Sequence, residues 1–246
     1  MPTTSRAHIA PLLASCLLTT LLGACMTLPG ARPLSPGEHE VGVTVGGPFV
    51  EFGGANVPLP NAIVEGRSGI ATLRNRPLDL QYGLNATAIG FGIAQLHLGA
   101  SYLLLEQENA IPAISLTNRI FFATNALTPQ DKAPGTKQAW GAHQLELTAS
   151  YLVKGQLLYL GVSQYTDLGY PQLLLSPALG VQFDPGEKKR GIQFLLEARY
   201  YAVNQTKELT TVSWTSAPRG AIGVGFGLSY KFGQARPQGG CSCSVR

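Results

Sequence analysis

The feature that most constrains the fold of this chain is a strict two-residue alternation of side-chain type. It is clearest over residues 221–232, where large apolar residues alternate with alanine, glycine, serine or lysine. Successive side chains of a β-strand point to opposite faces, so this pattern predicts a strand with one apolar face. The same pattern recurs along the chain and leaves no amphipathic helix after the first 24 residues. The predicted strands span residues 39–47, 61–72, 77–86, 92–104, 111–123, 139–153, 156–165, 172–183, 191–203 and 219–232.

The connections between these segments alternate in length. Connections after the second, fourth, sixth and eighth segments are short, whereas long ones span residues 48–60, 124–138 and 204–218. Transmembrane β-barrels show this asymmetry, with short periplasmic turns, longer outer loops and an even number of strands. We therefore predict an all-β fold over residues 38–232, an antiparallel, up-and-down transmembrane β-barrel of about ten strands.

Charged residues make up only 13% of the chain, whereas soluble domains carry about 25%. In a barrel that crosses a membrane, apolar side chains face lipid and polar ones face the lumen. Every charge inside a predicted strand lies in the phase opposite to that strand's large apolar residues. Both signs occur, which favours a narrow, polar-filled lumen; a purely structural role and a path for ions or substrate both stay open. The predicted lumen network comprises Glu65, Arg67, Asp79, His97, Arg119, Glu146, Glu197, Arg199 and Lys231.

Aromatic residues fall near the predicted strand ends. Such residues form girdles at the two membrane interfaces of transmembrane barrels. We expect Tyr102, Tyr151, Phe183, Tyr230 and Phe232 at the periplasmic interface, and Phe122 and Tyr200 at the outer one. Two segments fit the pattern less well, because Pro177 interrupts the eighth and the seventh has no clear phase.

The N-terminus reads as a targeting signal. Arg6 precedes an apolar stretch over residues 9–22, which is too short to span a bilayer. The stretch ends in Leu22-Gly-Ala-Cys25, which resembles the lipobox of bacterial lipoproteins. The resemblance implies removal of residues 1–24, acylation of Cys25 and handling by the lipoprotein-sorting machinery, and Met26 implies retention in the outer membrane. An ordinary secretory leader is the alternative.

Two segments flank the predicted barrel. Residues 25–37 contain three prolines and no alternation, so we interpret them as a lipidated linker. Residues 233–246 form a C-terminal tail, in which Cys241 and Cys243 could bridge each other, bind a partner, hold a soft metal or stay free thiols.

The last predicted strand carries a second resemblance. Its residues Gly227-Leu-Ser-Tyr230-Lys-Phe232 are similar to the C-terminal insertion signal of outer-membrane barrels, although the chain continues beyond Phe232. The signal implies recognition by the barrel-assembly machinery, for which an edge strand is a ready template. The two ends together resemble a bacterial outer-membrane β-barrel lipoprotein.

Motifs for chemistry are few. The mature chain has no spaced metal-binding cluster and no cofactor motif, and its net charge of +4 is too diffuse for nucleic acid. We expect a non-enzymatic, lipid-anchored outer-membrane barrel with a structural, small-pore or surface-binding role. A lipid-tethered soluble barrel that binds a lipophilic ligand is the first alternative. The second is a barrel hydrolase using His97 and Ser101, although strand residues four apart are separated by about 13 Å.

Overall fold

The computed structural model describes residues 30–52, 55–58, 60–125, 139–168, 170–183, 190–204, 213–214 and 219–234. Most of these residues form β-strands, as the alternation predicts. The strands are β1 (Glu38–Phe52), β2 (Ala55–Pro58), β3 (Asn61–Leu73), β4 (Arg76–Asn85), β5 (Ile93–Leu105), β6 (Ala113–Asn125), β7 (Ala139–Val153), β8 (Gln156–Asp167), β9 (Tyr170–Phe183), β10 (Gly191–Tyr201), β11 (Ser213–Trp214) and β12 (Ala221–Gly233).

Ten of these strands close into a barrel. Each pairs antiparallel with its neighbours in the order β1-β12-β10-β9-β8-β7-β6-β5-β4-β3, and pairing of β3 with β1 completes the ring. The prediction of an antiparallel barrel of about ten strands is confirmed. The short strands β2 and β11 lie within predicted long connections and both pair with the far end of β1, beyond the barrel.

The barrel has two distinct ends. The short-turn end carries the connections β3–β4, β5–β6, β7–β8 and β9–β10, together with the start of β1 and the end of β12. The long-loop end carries the other connections, of which that between β8 and β9 is shorter than the sequence indicated. An even number of strands therefore brings both termini of the barrel to the short-turn end.

One helix departs from the prediction. The helix α1 (Ala86–Gly90) joins β4 to β5, and the side chain of Asn85 caps it by accepting a hydrogen bond from the Ala88 amide at 3.0 Å. A single turn is too short to display a helical period in sequence. Among the described residues, none of the helical segments has the length and apolar character needed to cross a bilayer.

The unclear phase of the seventh predicted strand has a simple cause. In β8, Tyr159 and Tyr165 face the lumen and are buried, whereas Leu158, Leu160 and Val162 face outward and are exposed. Bulky residues thus occupy both faces, which removes the contrast on which the phase assignment depends.

The proline of β9 coincides with the end of a strand ladder. Pairing between β9 and β10 runs only from Phe183 to Ala178, immediately before Pro177. Proline has no amide hydrogen to donate to a ladder. Beyond Pro177, the side chain of Asn204 supplies hydrogen-bond partners that β10 no longer provides. It accepts from the Leu175 amide at 2.9 Å and donates to the Leu173 carbonyl at 2.6 Å.

Candidate functional site: the filled lumen

The barrel wall is apolar outside and polar inside. In β10, Ile192 and Phe194 face outward and are 49% and 51% exposed, whereas Glu197 and Arg199 face the lumen and are 1% and 3% exposed. The other barrel strands follow the same rule, with leucine, valine and phenylalanine outside and serine, threonine, glutamine and charged residues inside. This polarity is the reverse of a soluble barrel's and matches a wall that faces lipid. The described interior therefore does not fit the alternative of a soluble barrel with an apolar interior.

A network of buried ion pairs crosses the middle of the lumen, with Glu146 at its centre. One carboxylate oxygen of Glu146 accepts from Arg199 at 2.9 Å and the other from Arg119 at 3.0 Å. Arg199 also pairs with Glu197 at 2.8 Å, and the Tyr159 hydroxyl donates to Glu197 at 2.7 Å. Each charge has an opposite charge and further hydrogen bonds, which compensates for its removal from water.

Neutral side chains extend this network to the opposite side of the barrel. Arg119 donates from Nε to the Gln81 carbonyl oxygen at 2.8 Å, which links β6 to β4. Arg199 donates to the Ser163 hydroxyl at 2.7 Å, which links β10 to β8. The network therefore connects strands around most of the circumference.

A second group of ion pairs lies nearer the short-turn end. Arg67 contacts Asp79 at 2.5 Å and Glu40 at 3.3 Å, and all three are buried. Lys231 pairs with Glu38 at 3.2 Å close to the rim and remains partly exposed. Charges of both signs thus fill this end of the lumen as well.

The half of the lumen nearer the long loops is less charged. Glu65 and His97 lie 3.3 Å apart, and the His97 ring packs against Phe121. Phe121 belongs to a buried apolar cluster with Ile63, Ala142 and Tyr165. Side chains therefore fill the lumen here too.

Residues 30–37, which the sequence interpretation assigned to a linker, lie inside the barrel. We call this segment the strap. Ala31 is 0% exposed and Leu34 is 5% exposed. The prolines and the lack of alternation correctly indicated irregular backbone, but they carry no information about which side of the wall it occupies.

The strap follows the inner wall around the short-turn end. The Leu34 amide donates to Asp79 at 3.0 Å, and Arg67 donates to the Arg32 carbonyl at 2.7 Å. Ser115 of β6 donates to the Ala31 carbonyl at 3.0 Å. The Arg32 side chain reaches Ser150 of β7 at 3.0 Å and also donates to Gln107. The strap is therefore a component of the lumen, hydrogen-bonded to several strands.

All nine residues of the predicted lumen network lie on inward faces, and the structure adds three charges to them. Glu38 and Glu40 of β1 pair with Lys231 and Arg67, and Arg32 enters with the strap. Glu40 lies in the phase opposite to the valines of β1, so the alternation rule could have found it. Nothing in the sequence pattern marks Arg32 as a lumen residue.

Packing leaves little free space near the strap. A cavity between Gly30 and the walls of β9, β10 and β12 has a volume of about 10 Å³, room for no more than one water molecule. In the part of the chain that the structure describes, the strap and the buried ion pairs thus occupy the lumen at its short-turn end and its middle.

The predicted girdle residues all lie on the outward face near strand ends. Tyr102 donates its hydroxyl hydrogen to the Leu73 carbonyl at 3.0 Å, and Tyr200 donates to the Arg219 carbonyl at 2.6 Å. Their rings are thus directed at the outer surface with hydroxyls at the rims, as an interface between lipid and water favours. The residues are Tyr102, Tyr151, Phe183, Tyr230 and Phe232 at the short-turn end, and Phe122 and Tyr200 at the long-loop end.

His97 and Ser101, the residues of the hydrolase alternative, each contact other side chains in the lumen. Ser101 accepts a hydrogen bond from Thr117 at 2.9 Å and is fully buried, while His97 faces Glu65. Both side chains are buried in the described part of the barrel. Cys25, Cys241 and Cys243 lie outside the described residues.

Comparisons with known proteins give structural likeness only. No family model and no curated sequence matches the chain. The chain is similar to the translocator domain of the autotransporter NalP from Neisseria meningitidis, with 10% identity, a TM-score of 0.44 and coverage of 94% of this chain and 99% of that one. It is also similar to the COG4313 outer membrane channel from Pseudomonas putida F1, with 11% identity, a TM-score of 0.44 and coverage of 85% and 100%. Likeness to Ail of Yersinia pestis has 13% identity, a TM-score of 0.27 and coverage of 80% and 99%. At these scores the likeness carries no assignment of function.

Proposed function

We propose that this protein is a lipid-anchored outer-membrane β-barrel with a closed lumen, which acts as a structural or surface-binding element and not as an open pore. The observation that carries this proposal is the filled interior. The strap occupies the short-turn end, and the network around Glu146 crosses the middle.

Placement in the outer membrane is supported by the outer surface and by topology. The outward face is apolar, with aromatic residues at both rims, as in outer-membrane barrels. The start of β1 and the end of β12 lie at the short-turn end, which is periplasmic in such barrels. A cysteine acylated in the periplasmic leaflet would therefore lie on the same side as the start of β1.

The balance of charge in the lumen argues against selective transport. Six buried carboxylates face five arginine or lysine side chains and one histidine, and most are paired within the protein. Conducting filters present rings of one sign or open rows of carbonyls to the ion. Here the charges satisfy one another, so their main contribution is to hold the strands in register.

Two measurements test the proposal. The unboiled protein should migrate differently from the boiled protein on a gel, and purified protein in planar bilayers should produce no channel events. Regular conductance steps from folded protein would refute the closed lumen. Absence of a mobility shift, with release by carbonate, would refute the integral barrel.

The lipid anchor has its own test. Radiolabelled palmitate should enter the wild-type protein and not the Cys25→Ala variant. Equal labelling of both, or of neither, would contradict acylation of Cys25 and leave the barrel itself unaffected.

A further inference from the structure

Four polar side chains lie on the outward face of the barrel where β6, β7 and β8 are neighbours. Asn118 of β6 is exposed, and His143 of β7 and Gln164 and Thr166 of β8 are partly exposed. Most of the residues next to them in the chain are buried in the lumen, so the four side chains point away from it. We call these four residues the polar patch.

The polar patch is continuous across the three strands. His143 pairs directly with Thr166, and in the next row Leu145 lies between Asn118 and Gln164. Residues directly opposite each other on neighbouring strands have Cβ atoms about 5 Å apart, and diagonal neighbours are about 7–8 Å apart. The four polar groups therefore lie around Leu145 on one small area of the wall.

The polar patch extends into the part of the wall that faces hydrocarbon. Phe122, an aromatic residue of the long-loop rim, lies on the same face of β6 as Asn118 and four residues from it. This separation is about 13 Å along the strand, or about 10 Å in depth for a strand tilted by about 40°. The apolar band of such barrels is about 25 Å tall. Asn118 therefore lies near the middle of the band, out of reach of water and lipid headgroups.

Polar groups at this depth need partners. Within the described ranges, no side-chain hydrogen bond joins any member of the polar patch to another residue. Hydrocarbon offers no hydrogen bonds, so polar side chains within a bilayer associate with those of neighbouring segments. The polar patch thus presents donors and acceptors to a neighbour in the membrane.

A second outward polar group shows the contrast. Near the start of β1, His39 Nδ1 lies 3.0 Å from the Ser68 hydroxyl oxygen, which in turn lies 3.5 Å from the Tyr82 hydroxyl oxygen. These side chains have partners within their own chain. They therefore need no neighbour from outside.

We propose that the polar patch is the contact surface for a second copy of this chain, so that the barrel forms a two-fold symmetric dimer in the membrane. This inference rests on the wall facing lipid and is independent of acylation at Cys25. Asparagine, glutamine, threonine and neutral histidine each offer both a donor and an acceptor, so the patch is complementary to itself. Asn118, Gln164 and Thr166 are uncharged, so they do not repel their counterparts.

The arrangement of the polar patch fits this symmetry. Both copies insert with the same orientation, so the two-fold axis runs along the membrane normal. An axis in front of β7 sets β6 of each copy against β8 of the other. Asn118 of one copy then faces the strand that carries Gln164 and Thr166 in the other, and this contact occurs twice. His143, on β7, lies near the axis and near its own counterpart.

Site-specific photo-crosslinking tests the contact in the complete protein. A benzophenone amino acid replaces Ile120, an exposed residue that pairs with His143, or, as the control, Val43 of β1 on the opposite side of the ring. Irradiation of membranes from cells producing the full chain should give an adduct of twice the protein's mass from position 120 and not from position 43. Adducts from position 120 that contain only lipid, or only a different protein, would overturn the proposal.

Sedimentation equilibrium in density-matched detergent micelles measures the association itself. The wild-type protein should show a monomer–dimer equilibrium. The double variant Asn118→Leu/Gln164→Leu should raise the dissociation constant at least about tenfold, because each substitution removes polar groups from both copies. Ser68→Ala is the control and should leave the dissociation constant unchanged, since Ser68 has partners in its own chain.

The folded state is checked in parallel by the mobility difference between unboiled and boiled protein. The double variant should keep this difference, because leucine suits a wall that faces lipid. A folded wild-type protein that stays monomeric at every concentration, or a double variant that dimerises as tightly as wild type, would overturn the dimer. Absence of the mobility difference in the wild type would instead refute the integral barrel.

Discussion

Glu146 shows how single residues hold this lumen together. Its carboxylate is the shared acceptor of Arg119 and Arg199, which come from different sides of the barrel and are both buried. Burial of charge is expensive, so such a cluster adds little stability over an apolar core but is costly to break. The network therefore affects the stability of the barrel mainly when one of its charged groups is removed and its partners are left unpaired.

Substitution of Glu146 by alanine should destabilise the folded barrel by about 3–5 kcal/mol, because two buried guanidinium groups lose their acceptor. The measurement is the temperature or urea concentration at which the unboiled gel mobility is lost. Glu106→Gln, an exposed carboxylate in the β5–β6 connection, is the control and should stay within about 0.5 kcal/mol of wild type. Equal losses of stability in the two variants would show that the ion pairs of Glu146 contribute no more to folding than an exposed carboxylate does.

Gly180 is a second residue on which the network depends. A Cβ at this position of β9 would overlap the ring of Tyr159, whose hydroxyl donates to Glu197. Gly180→Ala should cost about 1–3 kcal/mol, since the ring must shift in a filled lumen. Gly90→Ala in α1 is the matched control, because a Cβ there meets no atom within 4 Å. Urea unfolding of the two variants in parallel checks the difference; a neutral Gly180→Ala would contradict the packing described.

The inward position of the network residues followed from alternation, but their pairing did not. Arg199 and Glu146 are 53 residues apart in sequence, and only the closure of the barrel brings them together. The sequence determines which face a strand residue occupies, whereas the partner depends on strand order and register around the ring. For this reason the lumen residues could be predicted and the ion pairs could not.

At the scale of elements, the strap is the feature that the sequence did not reveal. Side-chain type in a regular strand repeats every two residues, so each strand can be recognised from its own local sequence. The ten predicted strands correspond to those of the barrel. The strap has no period, and apart from two local hydrogen bonds between Ser35 and Glu38 its polar contacts are with residues distant in sequence. Its position therefore depends on the finished barrel, which supplies the groups that it binds.

A thiol beneath the strap should report whether the strap is in place. In a background with Cys241 and Cys243 replaced by serine, Ser115→Cys should resist a membrane-impermeant maleimide, because Ser115 is buried beneath Ala31. Replacement of residues 31–35 by Gly/Ser should make the thiol reactive. Glu108→Cys at the exposed rim should react in both chains. Rapid labelling of Ser115→Cys with the native strap would contradict its place in the lumen.

The whole molecule is defined by its inverted polarity. Leucine, valine and phenylalanine of the strands cover the outside at exposures of up to 62%, while most buried side chains near the middle of the lumen are polar. A chain with only 13% charged residues can satisfy this arrangement because its charges are needed at the rims and in the lumen, not over the wall.

Two arginine substitutions test whether the wall faces lipid. Leu160→Arg, on the outward face of β8, should cost about 2–4 kcal/mol of folding stability in bilayers. Leu168→Arg is the control, since Leu168 is even more exposed but lies beyond the end of β8, where the cost falls to about 0–1 kcal/mol. Refolding yield in vesicles across a urea series measures both. A wall that faced water would tolerate the two substitutions equally.

The backbone conformation of a single residue, Gly37, determines on which side of the barrel wall the strap lies. Gly37 has φ of 86°, a left-handed conformation that other residues adopt with strain, and it lies between the strap and β1. Its amide donates to the Gly69 carbonyl and its carbonyl accepts from Gln234, so the turn is fixed to both neighbouring strands. A backbone that continued straight from β1 would leave residues 30–36 outside the barrel. The bend at Gly37 instead turns this segment back between the strands, where it plugs the short-turn end.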